Sequence, residues 1–230
     1  MDAVTFDNIP WRLEADDVFR KIRMDPADSE AGQVRRLIDA AHAVGRPKAL
    51  YRESYIEART DDTVVIDGHT FTSRILRVNT AQAHRVFAYL ATCGAELAAW
   101  ARSLDDMLVR FWADGIMELA LHRALVFLNE RIALLLPQTQ TAVMNPGSLA
   151  DWPVTQQRPL FDLIGGAAGA IGVVLTDSML MIPAKSVSGI RFPTEARFEN
   201  CQLCPRKDCP GRRAEYDREL YQRKYAWQGT

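Results

Sequence analysis

The segment from about Asp105 to Leu136 reads as one long helix, and it constrains the fold more than any other stretch. Phe111, Met117, Leu121, Leu125, Leu128 and Ile132 recur at helical spacing as an apolar stripe, and Pro137 ends it. A stripe of that length has to be buried against a sheet or other helices. Upstream, Asp16 to Arg23 reads as a short helix. "ADSEAGQVRRLIDAAHAV" reads as a longer one, with Val34, Leu37, Ile38 and Ala41 in register and Gly45 with Pro47 at its end.

Between these helices the pattern changes to strands. "ALYRESYIEARTDDTVVIDGHTFTS" reads as β-structure with a tight turn at Asp67-Gly68, and "HRVFAYLATCG" as a buried strand closed by glycine. A further helix from Glu96 to Leu104 precedes the long one. Helices and strands come in groups, which indicates an α+β fold rather than regular βα alternation. At 230 residues, 48% of them hydrophobic, the chain suits one large domain or two small ones.

A net charge of −1 gives no electrostatic footprint for nucleic acid or an anionic membrane. The acidic start "MDAVTFDNIPWRLEADD" has no apolar signal region. "LIGGAAGAIGVVL" is too short and too glycine-rich to cross a bilayer. A cytoplasmic protein is expected, where cysteines more often bind metal or do redox work than form disulfides.

From Ala142 to Pro193 the texture differs: "MNPGSLADWP" is a Pro/Gly turn region, "VTQQRPLFDLIGG" a short helix, and the rest alternates strand-like runs with small polar residues. The glycines of "GGAAGAIG" lack the spacing and the lysine of a phosphate loop. His42, His69, His84 and His122 are scattered and form no ligand pair. Asp114, Glu118 and His122 share a helix face at four-residue spacing, either as a solvated polar face or as a carboxylate aimed at a cation.

"FENCQLCPRKDCPGRR" places Cys201, Cys204 and Cys209 in a C-x2-C-x4-C run flanked by Arg206, Lys207, Arg212 and Arg213. Thiolates select zinc, copper(I) or iron–sulfur iron, and the run lacks a fourth ligand. Three readings stay open: a zinc site completed by Cys93 or a histidine, an iron–sulfur centre, or free thiols. Tyr216, Leu220 and Tyr221 leave room for one amphipathic helix after the run.

The stretches "NPGSLADWPVTQQRPLFDLIG" and "IGVVLTDSMLMIPAKSVSGIRF" resemble the reactivation domain of cobalamin-dependent methionine synthase, which binds S-adenosylmethionine (AdoMet). The resemblance lies in the ordered set Pro146-Gly147, the helix from Gln156 to Ile164, Leu175 to Ser178, Pro183 and Ser186-Val187-Ser188-Gly189. "ADGIMELALHRAL" looks like that family's long helix, whose glutamate faces AdoMet and matches Glu118.

The resemblance implies a C-shaped α+β domain, here over residues 1–199, with a bent, largely antiparallel sheet and flanking helices; the cysteine-rich tail over 200–230 has no counterpart in that domain. It implies that Asn145, Pro146, Gly147 and Ser148 approach the ligand, that Glu118 favours its sulfonium, and that Ser186, Ser188 and Gly189 pack near a corrin. AdoMet-binding members carry arginine where this chain has Val143 and tyrosine where it has Ser148. The expected role is that of a methyltransferase component that reactivates, in trans, a corrinoid-binding protein or truncated methionine synthase whose cobalamin has been oxidised. The electron would come from a donor such as flavodoxin or ferredoxin, or through iron–sulfur chemistry at Cys201, Cys204 and Cys209. The alternative is a non-catalytic docking module for a corrinoid protein with a zinc or iron–sulfur tail. Neither nucleic acid nor a membrane is expected as a partner.

Overall fold

The structure is a computed structural model and describes residues 2–195, 198–209 and 211–226, so part of the expected 200–230 tail lies outside it. The chain begins with β1 (Val4–Phe6), α1 (Ala15–Ile22) and α2 (Ala31–Val44), then forms β2 (Lys48–Arg59), β3 (Thr63–Ile66), β4 (His69–Thr72) and α3 (Arg74–Asn79). The centre is β5 (Arg85–Thr92), α4 (Ala95–Arg102) and α5 (Met107–Leu135). The last part comprises β6 (Thr141–Met144), α6 (Gln157–Ile164), α7 (Ala167–Ala170), β7 (Val174–Leu175), β8 (Met181–Ile182) and β9 (Ser186–Pro193).

Among the described residues seven strands form one sheet in the order β4-β3-β2-β5-β9-β6, with β1 on β2, and β7-β8 make a separate ribbon. Every pairing is antiparallel. The expected turn at Asp67-Gly68 joins β3 to β4, both residues at positive φ (42° and 78°). A register shift in β2 between Ile56 and Ala58 bends the sheet there.

β5 reads as a continuous apolar run because both faces of the sheet are covered. Val86, Ala88 and Leu90 join a core with α6, α7 and Trp152. Phe87, Tyr89 and Ala91 point the other way, against Ala124, Leu128 and Ile132 of α5. A third cluster unites α1, α2, α4 and the first half of α5. No helix among the described residues is long and apolar enough to cross a membrane.

The long helix has the expected bounds but a different buried face. Trp112, Ala113, Gly115, Ile116, Ala120, Ala124, Leu128 and Ile132 are buried. Of the expected stripe, Leu128 and Ile132 are buried, Met117, Leu121 and Leu125 are half-buried, and Phe111 is exposed. Small residues let α5 approach its neighbours closely: a Cβ added at Gly115 would stand 2.8 Å from Cγ2 of Ile22.

Two further differences concern the C-terminal part. Thr141–Met144, at the start of the expected turn region, is an edge strand paired with β9. Among the described residues the room for an amphipathic helix after the cysteines is used by a five-residue π-helical turn, Tyr221–Tyr225. That turn is anchored by Tyr225, which is 1% exposed and belongs to the same core as the sheet. Its hydroxyl donates to Asn79 Oδ1 at 2.9 Å, and Arg74 Nε donates to its carbonyl at 3.1 Å.

Truncating this anchor tests how firmly the tail is held. Tyr225→Ala is expected to cost about 3–5 kcal/mol, as for a buried aromatic, and Tyr225→Phe about 1 kcal/mol for the lost hydrogen bond. Burial pushes the Tyr225 phenol up to about 12 from an ordinary 10.0. The folded state therefore holds the neutral phenol, and stability that is intact below pH 10 falls as the pH climbs towards 12. Urea denaturation of wild type and Tyr225→Phe across that range should show the steeper loss in wild type; equal slopes contradict it.

Candidate functional site

α5 and β9 run side by side in the same sense. At one end Lys185, just before β9, lies 2.9 Å from Asp114 Oδ2 and 4.0 Å from Glu118 Oε2. At the other end Arg191 Nη2 donates to Asn129 Oδ1 at 2.5 Å. The helical stretch from Asp114 to Asn129 is about 22 Å long and the strand stretch from Lys185 to Arg191 about 20 Å, so the two elements keep pace. Leu121, Leu125, Val143 and Val187 half-cover the strip between them, over buried Phe87 and Tyr89. The strip is thus apolar in its middle and charged at both ends.

Glu118 stands at the first end. It accepts a hydrogen bond from Lys21 Nζ, so with Lys185 nearby its charge is already compensated. Asp114 shares Lys185 with it. His122, one turn further on, faces α1 instead and lines a different cleft with Leu13, Asp17 and Arg123. A cleft of about 530 Å³ opens beside Asp114 and Lys185, walled by Ala98, Ala101, Arg102 and Met117.

The Asn145–Ser148 turn leaves β6 beside the middle of the strip. Asn145 Nδ2 donates to the Tyr89 hydroxyl at 2.6 Å and to the Ser188 carbonyl at 2.7 Å. That amide crosses directly over Gly189: a Cβ there would stand 2.5 Å from Asn145 Nδ2, 2.5 Å from the Met144 carbonyl and 2.9 Å from Tyr89 Cε1. Gly147 takes φ +84° and donates its N–H to the Trp152 carbonyl at 2.7 Å, which leaves Gly147 and Ser148 exposed and Pro146 buried.

Of the expected corrin-facing residues, Ser188 is 3% exposed on the opposite face of the sheet and Gly189 is covered. Ser186 is half-buried; its hydroxyl donates to the Pro183 carbonyl at 2.7 Å and lies 2.9 Å from Thr92 Oγ1. Among the described residues no hydrogen bond joins Glu118 to the turn. Arg191, which the sequence reading passed over, lies on the strip by virtue of its register with Val143.

Arg212 organises the cysteine loop. Its guanidinium donates to the carbonyls of Cys201 (3.2 Å), Cys204 (3.2 Å) and Ala214 (3.1 Å), and also to that of Arg206. The Arg213 N–H donates to Cys201 Sγ at 3.4 Å. Among the described residues no three Cys, His, Asp or Glu side chains stand together as a metal-holding group.

Cys93 does not complete such a set. Its N–H donates to the Lys185 carbonyl, whereas the charge of Arg213 acts on Arg191 and Tyr89. The two thiol regions sit at opposite ends of a strip about 20 Å long.

No family model matches this chain, and no curated protein matches it. Among solved structures it is similar to the crystal structure of the MetH reactivation domain bound to AdoHcy, with a TM-score of 0.59 over 86% of this chain and 81% of that one. Sequence identity is 15%, so the likeness is one of fold. The bent, largely antiparallel sheet with flanking helices is the fold that the sequence resemblance implied.

Gly189→Ala drives a methyl group into the Asn145 crossing and is expected to cost about 2 kcal/mol or more, read as a lower urea midpoint. An unchanged midpoint contradicts the crossing. With a thiol reagent under native conditions, the half-buried Cys201, Cys204 and Cys209 are expected to react before the protein unfolds. Cys93, fully buried with its thiol pushed up to about 12 by desolvation, should react only after unfolding. Protection of the three tail thiols contradicts the placement of the loop.

Proposed function

We propose that the chain is a reactivation module that binds AdoMet and presents it, in trans, to a corrinoid protein. The partner would be a corrinoid-binding protein or a methionine synthase lacking this domain, supplied with an electron by a donor such as flavodoxin or ferredoxin. The observation that carries the reading is the fold likeness to a domain that holds AdoHcy, the demethylated form of AdoMet, across most of both chains.

The partner's cobalt supplies the redox chemistry and accepts the methyl group. The chain's own contribution is to bind, orient and exclude water. The apolar middle of the strip, Leu121, Leu125, Val143 and Val187, offers a surface for the carbons flanking the ligand's sulfur. The exposed Gly147 lets backbone approach the ligand. Glu118 offers a carboxylate at one end, in a setting where a ligand group must displace the Lys21 ammonium.

That competition supports a second reading, a docking module that holds a corrinoid protein without AdoMet. Val143 adds to it, since an isopropyl group cannot hold a ligand carboxylate.

Calorimetric titration with AdoMet separates the two. The reactivation reading predicts saturable binding, weakened about tenfold in Glu118→Gln through loss of a charged hydrogen-bond acceptor. Absence of heat at about 1 mM ligand, an affinity of about −4 kcal/mol, favours the docking module.

A further inference from the structure

Among the described residues, Arg191 carries a charge with no ion-pair partner. It lies between Phe87 on β5 and Val143 on β6, directly opposite each, so all three side chains rise on the α5 face of the sheet. Its Nη1 donates to Thr141 Oγ1 at 2.7 Å and its Nη2 to Asn129 Oδ1 at 2.5 Å. Both acceptors are neutral, and Nε is buried without a partner.

Among the described residues no carboxylate stands within ion-pair distance of Arg191. The acid whose field it feels, Glu199, is engaged by Arg213 at 2.9 Å. Glu53, next along the same cross-strand row, is tied to Arg85 at 3.1 Å. Burial lowers the Arg191 pKa, the mark of a poorly solvated cation. A partly desolvated guanidinium without a counter-ion is costly, and partners that fix its plane while leaving its charge intact suit an arginine that waits for an anion.

Thr141, the acceptor of Arg191 Nη1, also lines a cleft of about 380 Å³ together with Glu199, Gln202 and Arg213. Arg191 and Arg213 against Glu199 leave one net positive charge. That matches a monocarboxylate, which a guanidinium grips through two parallel hydrogen bonds, better than a phosphate dianion.

We infer that Arg191 anchors the carboxylate of AdoMet, supplied from β9 across from Val143 on β6. The inference rests on AdoMet being the ligand, and it revises the expected place of Glu118. Eleven residues separate Glu118 from Asn129 on α5, about 16 Å of helix. The sulfonium lies only three carbons from the carboxyl group, too near Arg191 to reach Glu118. Glu118 therefore lies beyond the reach of the sulfonium in this placement.

The test compares AdoMet with its decarboxylated analogue by titration into the full chain. Wild type is expected to prefer AdoMet by at least about tenfold, the worth of a charge-assisted hydrogen bond. Arg191→Met should bind the two within about twofold and retain wild-type affinity for the analogue, which also reports an intact fold. Arg191→Lys should keep part of the preference. If Arg191→Met does not fold, Thr141→Val decides, because the guanidinium loses its Nη1 acceptor there and the preference should fall. A preference that survives in Arg191→Met or Thr141→Val overturns the inference. So does a wild type that binds both compounds equally, while AdoMet binding itself stands. A wild type that binds neither overturns the AdoMet reading and this inference with it.

Discussion

The Asn145 amide, laid across Gly189, ties one part of the sheet together. It links the edge strand β6 to the Tyr89 phenol on β5 and to the Ser188 carbonyl on β9, so three strands share one side chain. The crossing requires that residue 189 have no side chain. It also fixes where the chain leaves β6, and hence where the Pro146-Gly147 turn presents exposed backbone. Once β6 is held on β9, Val143 and Arg191 must face each other on the α5 side. The strip between α5 and β9 follows from these constraints together with the Lys185 and Asn129 contacts at its ends.

Helices and strands were legible in the sequence where local periodicity carries them. The bounds of α1, α5 and β5 agree closely with expectation, and the Asp67-Gly68 turn is where its composition put it. The face of α5 was not legible, because burial there is done by Ala113, Gly115, Ala120 and Ala124, which a count of large apolar residues overlooks. The exposed Phe111 misled for the same reason. β6 was hidden because four residues give too little alternation, and its pairing with β9 is non-local.

The same distinction applies to the candidate site. "NPGS" and "SVSG" were legible as motifs, but their roles were not. The second motif turns out to serve packing as much as any ligand: Gly189 admits the Asn145 amide and Ser188 faces the other side of the sheet. Arg191 carried no sequence signal, since its meaning comes from a cross-strand neighbour nearly fifty residues away. The charge of Glu118 looked available, and only the fold brings Lys21 to it. In the tail, thiol spacing suggested a metal but could not show that Arg212 closes the loop through backbone carbonyls or that Tyr225 docks into the main core.

The central claim is that this chain hands a methyl group to a corrinoid protein in trans. The most direct measurement mixes the purified chain with a corrinoid protein from the same cell in its cob(II)alamin state, an electron donor and methyl-labelled AdoMet, under anaerobic conditions. The account predicts loss of the cob(II)alamin absorbance with label transferred to the corrinoid and AdoHcy formed in equal amount, only when the chain is present. Unchanged absorbance and unconverted AdoMet, in a mixture where the two proteins bind each other, contradict it.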